Sequence, residues 1–480
     1  MLERNWQGSA PLTSPIPFCK IARVTFDQDS IEKKRPKRIP FPVNESFCMA
    51  PWTHTFLSPQ SERRLCCASR ESHSFTNQYL DLPGKSGGKY EPIPLKEHWN
   101  GEFIRSVRRK MLAGEKVPEC EVCENKILSL SIYRNWFTHV MFRKYISQAF
   151  ASTDDQGFTS MKPISFDYRL HNTCNFKCRM CGEQLSSAWE AEKKQHGEWG
   201  PEFDPWMDRE IYSKIESFQR EIAQKELEEA LETGEVEEIY WVGGEPLVWD
   251  FHWKTMTELV QSGKSKNIFV RYNTNLSIIR WHQTDLFKDL LSHFKGYLVC
   301  ASIDASGKIG EFIRTGLNWD RWLSNFKAAL SYSGDNRSIT MDITLTLPGL
   351  FGIEDLFNVA TELGVRLDVK LIFAFDPHIV LSPLALPRAV LDEMIDKTIR
   401  NIEPKVTNQT RSLLVALQDL KRRKTFEEQY PDQYKDGFKR GREMQLRTAQ
   451  RRGDGNHGRL TFEEIYSANK KVLDWWQRGL

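Results

Sequence analysis

No stretch of the 480-residue chain approaches the roughly 18 uninterrupted apolar residues of a membrane-spanning helix. The opening residues Met1-Leu2-Glu3-Arg4-Asn5-Trp6 lack a basic segment followed by an apolar one, so no secretory leader is expected. The expected compartment is therefore the cytoplasm. A decisive net charge is missing too: 67 Lys plus Arg against 64 Asp plus Glu leave +3, which argues for no particular partner. In a reducing compartment the ten cysteines have little reason to form disulfides. Clustered ones are expected to be metal ligands or catalytic groups.

What is present is a cysteine triplet, Cys174-Asn175-Phe176-Lys177-Cys178-Arg179-Met180-Cys181, just after the strand-like run from Ile164 to Leu170. Thiolates this closely spaced can all reach one iron–sulfur cluster. A local fourth ligand is missing, because Gly182-Glu183-Gln184 comes next. Three ligands on a four-iron cluster leave one iron open to another molecule. Zinc would need a fourth ligand nearby, for which His171 is the candidate, and three buried structural cysteines would have no need of this spacing.

Length allows about two or three domains. Residues 1–45 are rich in proline and carry the basic run Lys33 to Arg38, which reads as an extended surface arm rather than a nucleic-acid contact. Residues 46–145 hold Cys48, Cys66, Cys67, Cys120 and Cys123; Phe103, Val107 and Met111 follow helical spacing and Gly114 stops the helix. A C-x2-C pair plus two distant cysteines supplies four thiolates, enough for a cluster or a zinc site.

From 160 to 376 strand-like and helix-like segments alternate. Strands are expected at Ile164–Leu170, Glu238–Val242, Asn267–Tyr272, Tyr297–Ile303, Ser338–Leu345 and Arg366–Phe373, with a helix over Asp208–Thr233 that uses Ile211, Ile215, Phe218, Ile222 and Leu227. Repeated βα units imply an α/β fold with a parallel sheet, and six strands suit a partial (β/α)6 barrel. Residues 380–480 read as a basic helical extension, with helices over 388–402, 408–424 and Phe462–Gln477 and no evident chemistry.

Gly243-Gly244-Glu245-Pro246 lies just after a second strand, about sixty residues beyond the triplet. A Gly-Gly pair there lets backbone approach a ligand closely, and the glutamate offers charge to an ammonium. Together the triplet and this segment resemble the radical S-adenosylmethionine (SAM) enzymes, whose C-x3-C-x2-C loop comes after the first barrel strand. The resemblance implies that Cys174, Cys178 and Cys181 hold a [4Fe–4S] cluster whose open iron is chelated by SAM. Met180 stands where the family usually places an aromatic against adenine, and the Gly243–Pro246 segment would hold the amino group.

Three later strand ends are similar to the family's nucleoside-binding positions: Asn273 and Asn275, Ser302 with Asp304, and Arg314 ten residues beyond. Leu345-Thr346-Leu347-Pro348 would pack on adenine or belong to the core. The N-terminal cysteines resemble the family's auxiliary-cluster units, SPASM or twitch. Ser61 takes a glycine place, which favours Cys66 over Cys67 beside Cys48, Cys120 and Cys123. Such units usually come after the barrel, whereas this one precedes it.

The implied activity is reductive cleavage of SAM to a 5′-deoxyadenosyl radical that abstracts hydrogen from a peptide or small molecule. An external donor of the flavodoxin or ferredoxin type is implied with it. The alternative is a non-catalytic iron–sulfur or zinc-binding interaction protein on a barrel scaffold, suggested by the chemically silent C-terminal region. Cys300 reads as a core residue.

Overall fold

The computed structural model describes residues 46–69, 71, 90–125, 133–372 and 378–478. The expected N-terminal arm, with Cys19 and the basic run, lies outside the described residues, as do Phe373 and Asp376.

Alternation of apolar and polar residues builds the central sheet. In Arg337–Leu345 the side chains of Ile339, Met341, Ile343 and Leu345 are buried in the main core, while Thr340, Asp342 and Thr344 stand on the other face. Phe269–Thr274 repeats this with Val270 and Tyr272 against Arg271 and Asn273, and Gly296–Ser302 with Val299 and Ala301 against Cys300 and Ser302. Each fully buried large apolar side chain contributes about 1.5–3 kcal/mol. The apolar face is therefore fixed against the surrounding helices, and the polar face is left for chemistry.

The strands are β1 (His54–Leu57), β2 (Arg63–Arg64), β3 (Ser165–Tyr168), β4 (Glu238–Trp241), β5 (Phe269–Thr274), β6 (Gly296–Ser302), β7 (Arg337–Leu345) and β8 (Leu367–Leu371). They form one sheet in the order β8-β7-β6-β5-β4-β3-β1-β2. Every pairing is parallel except the antiparallel hairpin of β1 with β2. All six expected strands are present. The cysteine-rich N-terminal segment adds two more, since β1 pairs with β3 from His54–Ser165 to Leu57–Tyr168. That segment also keeps a small core of its own around Met49, Trp52, Val107 and Met111.

Helix α1 (Glu102–Ala113) ends on Gly114, whose φ of 77° is the left-handed cap that glycine adopts readily. Helix α2 (Ser187–Gln195) starts on a Ser186 cap accepting from the Trp189 amide. The expected helix over 208–233 forms as Arg209–Phe218 and Gln224–Thr233 joined by a π segment, Gln219–Ala223. The wider turn rotates the residues within and beyond it. Ala223 is buried and Ile222 is 36% exposed, so Ile222 is not the core residue its spacing suggested.

Arg388–Ile402 forms as expected, and Arg411–Arg422 lies within the expected 408–424. The expected final helix is two, Phe462–Tyr466 and Lys470–Arg478. Between these groups stands α3 (Pro431–Arg452), which buries Gly437, Phe438, Gly441, Gln445, Thr448 and Arg452. No described helix is long and apolar enough to cross a membrane.

Candidate functional site

The triplet occupies the loop that leaves β3. Its first turn is pinned to α2: the Cys174 amide donates to Ser187 Oγ at 3.1 Å, and Ser186 Oγ donates to the Phe176 carbonyl at 2.7 Å. Its second turn is a short ribbon in which Cys178 pairs with Arg314 and Lys177 with Thr315. The Trp189 indole donates to the Cys178 carbonyl at 2.8 Å, and the Cys181 amide closes back on the same carbonyl at 3.0 Å. Burial pushes all three thiols up, Cys181 to about 12, and Cys174 and Cys181 each feel Cys178 as a neighbouring charge. Thiols held protonated in this way must lose protons when they ligate a metal.

The Gly243–Pro246 loop leaves β4 directly against this loop. The Glu245 amide donates to the Thr173 carbonyl at 2.7 Å, one residue before Cys174. Gly244 has φ of 58°, and a Cβ there would stand 2.2 Å from that carbonyl oxygen. Gly243, at φ of 92°, would meet the Arg169 side chain at 2.6 Å. Only glycine allows this approach. His171, Thr173, Gly243 and Trp249 line a narrow cavity at the junction.

Glu245 itself points inward and is 2% exposed. Its carboxylate accepts from the Leu247 amide (3.1 Å), Thr274 Oγ1 (2.7 Å) and the Asn275 amide (2.5 Å). The charge expected to face an ammonium is thus spent on tying the β4 loop to the β5 loop. Burial outweighs the three donors and raises its pKa to about 7.

This shift has a testable sign. The unfolded carboxylate titrates near 4.5. Between pH 4.5 and 7 the folded state holds the proton more tightly, so stability falls as pH rises through that window. The full loss is on the order of 3 kcal/mol. Urea unfolding of the metal-free protein at several pH values should show this slope, and Glu245→Gln should flatten it.

The remaining expected residues converge unevenly. Asn275 donates to Asn175 Oδ1 at 2.8 Å, which links the β5 loop to the cysteine loop. Asp304, fully buried, holds Arg314 at 2.7 Å (Nε to Oδ2) and 2.9 Å (Nη2 to Oδ1), and Arg314 Nη1 lies 3.9 Å from Cys178 Sγ. Ser302 ends β6 half-buried. Met180 packs against the main core, Pro246 starts a 3-10 turn, and Leu345 and Leu347 are core residues.

Asn273 faces elsewhere, accepting from the Tyr240 hydroxyl at 2.7 Å and donating to Asp342 at 2.8 Å, where Lys370 also binds at 2.8 Å. Of this polar line across the sheet only Asn273 is among the expected site residues. The line's signal was the polar residue alternating with core residues on β4, β5, β7 and β8. Cys300 stands beside it on the polar face, half-buried, and is not the plain core residue expected.

In the N-terminal segment Cys48, Cys66, Cys67, Cys120 and Cys123 share one electrostatic neighbourhood: Cys66 feels Cys67 first, then Cys123, Cys120 and Cys48. Burial pushes Cys48 up to about 12 and raises Cys66 and Cys120. Cys67 also has Asp167, Arg169, Arg271 and Arg64 as charged neighbours. Ser61 has φ of 63°, the left-handed conformation of a glycine place. Among the described residues no group of three or more His, Cys, Asp or Glu side chains converges closely enough to hold a single metal ion. A four-iron cluster holds its thiolates farther apart than one ion does; the three-sulfur triplet fits iron–sulfur chemistry, and the four N-terminal thiols fit a cluster or zinc.

Residues 168–357 match the model of the Radical SAM superfamily. The matched span runs from the end of β3 through the cysteine triplet, the Gly243–Pro246 loop and Arg314 to beyond β7. No curated protein matches the chain. A radical SAM domain implies a [4Fe–4S] cluster, SAM and an external electron donor.

Proposed function

We propose that this chain is a radical SAM enzyme carrying two iron–sulfur clusters. Its mostly parallel sheet would curl as a partial (β/α)6 barrel, with residues 46–145 as a twitch-like auxiliary unit that shares the sheet through β1. Cys174, Cys178 and Cys181 hold the [4Fe–4S] cluster and leave one iron for SAM. Bound there, the cofactor pair supplies a 5′-deoxyadenosyl radical that takes hydrogen from the substrate.

The chain's own residues bind and orient. The backbone of Gly243 and Gly244 offers a close approach to the amino-acid end of SAM, with Glu245 bracing that loop from behind. Asn275, Ser302 and Arg314 flank the nucleoside side. Cys48, Cys66, Cys120 and Cys123 would hold the auxiliary cluster, which would supply an electron acceptor or a substrate-positioning site. A flavodoxin- or ferredoxin-type protein donates the first electron, and the chain works in the cytoplasm. A peptide is favoured over a small molecule as substrate, by analogy with auxiliary-cluster relatives.

The contact between the Glu245 amide and the Thr173 carbonyl carries this reading. Two motifs that resemble one family in sequence touch in space, with glycines where only glycine fits. The non-catalytic alternative drew its support from a silent C-terminal region, and that region instead reaches into the cysteine loop, through Arg452 and Asp454. Anaerobic reconstitution with iron and sulfide, reduction and addition of SAM should yield 5′-deoxyadenosine. An intact reduced cluster that yields none sinks the proposal.

A further inference from the structure

The last turn of α3 and the loop after it reach back to the cysteine loop. Arg452 Nη1 donates to the Lys177 carbonyl at 2.6 Å and to Thr315 Oγ1 at 3.2 Å, so one guanidinium edge bridges both strands of the Cys178 ribbon. The opposite edge pairs with Glu192 on α2 at 3.2 Å, and the guanidinium lies over the Trp189 ring at 4.2 Å. Glu192 also pairs with Lys177 at 2.5 Å.

Two residues on, Asp454 pairs with Arg179, which is fully buried between the second and third cysteines. Arg179 also donates to the Phe312 carbonyl at 3.0 Å and lies over the Phe312 ring at 3.9 Å. The loop between Cys178 and Cys181 is therefore held from its far side by residues more than 250 positions away in sequence.

We infer that the C-terminal extension acts as a clamp on the cysteine loop, with Arg452 as the positioning residue that fixes the loop and places a second positive charge beside Cys178. Geometry supports the first half. A planar fork that spans a carbonyl, a hydroxyl and a carboxylate, with an indole under its face, has one orientation available. Position supports the second: Arg452 Nη1 sits on the Lys177 carbonyl, one residue before Cys178 in the ribbon that Arg314 also joins. Around the ribbon Lys177, Arg179, Arg314 and Arg452 pair with Glu192, Asp454 and Asp304, while Glu245 acts on Cys174 and Glu183 on Cys181. An iron–sulfur cluster gains negative charge on reduction, so a nearby cation raises its potential and its removal lowers it.

The inference rests on the cluster assignment to Cys174, Cys178 and Cys181, and the test separates the two. Arg452→Gln, Arg452→Lys and a control, Arg451→Gln, are compared in the full chain. Arg451 pairs with Glu198 next door and touches none of the cysteine loop, so its loss changes the same charge without the clamp.

Hydrogen exchange of residues 174–182 in the metal-free protein should rise about tenfold in Arg452→Gln and in Arg452→Lys, and not in Arg451→Gln. Redox titration of the reconstituted cluster by electron paramagnetic resonance should show a lower midpoint in Arg452→Gln, with Arg452→Lys near wild type. Should Arg452→Gln fail to fold, Arg452→Lys carries the exchange test, because a lysine cannot span the three partners at once. Exchange in both variants at the control's level overturns the clamp. An unmoved potential in Arg452→Gln overturns its electrostatic half. A wild-type chain that binds no cluster defeats the assignment, while the exchange result still judges the clamp.

Discussion

Cys178→Ala should make no 5′-deoxyadenosine, while Cys48→Ala should still cleave SAM. Cys178 is the most embedded of the triplet. Its backbone is paired with Arg314, its carbonyl accepts from Trp189, and its thiol lies beside the Arg314 guanidinium. Alanine leaves that backbone framework in place and removes one sulfur. A buried cysteine behaves as a small hydrophobe, so its truncation costs on the order of 1 kcal/mol, too little to unfold the domain. What is lost is one of three ligands, and a cluster that already offers only three protein ligands cannot spare another.

Cys48 sits in the other set, among Cys66, Cys120 and Cys123. Cys48→Ala should lose the second cluster and uncouple SAM cleavage from product formation. Iron counting places the loss: about eight per chain in wild type if both clusters are four-iron, and about half that in each variant. Wild-type 5′-deoxyadenosine from Cys178→Ala would overturn the assignment of the open cluster.

Much of this was readable from local pattern. The six parallel strands announced themselves because alternation with period two on β5, β6 and β7 separates a core face from a polar one. The cysteine sets were readable because spacing is itself chemical information.

Other features carry no such signal. β1 is four residues long and buried on both faces, so His54-Thr55-Phe56-Leu57 shows no alternation, and its parallel partner lies beyond a hundred intervening residues. The buried stripe of α3 mixes Tyr434 and Phe438 with Gly437, Gly441, Gln445, Thr448 and Arg452, so small and polar residues interrupt its apolar period. One π segment moved the core position from Ile222 to Ala223. The C-terminal extension reads as silent because its ties to the cysteine loop run through two polar residues, Arg452 and Asp454, whose partners are set by tertiary structure alone. Glu245 shows the limit of motif reading even inside a motif: the segment is placed as expected, but its carboxylate braces two loops and does not face outward.

Arg314 shows the same limit with a larger energy. The family pattern implies that it meets SAM, yet three of its contacts are internal: two to Asp304 and one toward Cys178 Sγ. The pair is buried, with side-chain exposures of 10% for Arg314 and 0% for Asp304. Asp304 also accepts from the Thr344 amide at 2.8 Å, which joins the end of β6 to β7.

Burial, with the nearby Asp342 charge, pushes the Asp304 pKa up, and Arg314 is the first influence opposing it. Arg314→Ala leaves a buried carboxylate with one amide donor, and breaking such a pair from one side costs about 3–5 kcal/mol. That is a large fraction of the stability of any domain. The carboxylate should then take up a proton, so the deficit should shrink as pH falls toward the acid range. Adding Asp304→Asn should recover part of the loss, because the uncompensated charge is gone while an oxygen still accepts from Thr344. Urea denaturation of the metal-free single and double variants measures all three effects. A deficit below about 1 kcal/mol in Arg314→Ala, the size of a surface ion pair, would mean that the pair does not hold the Cys178 ribbon in place.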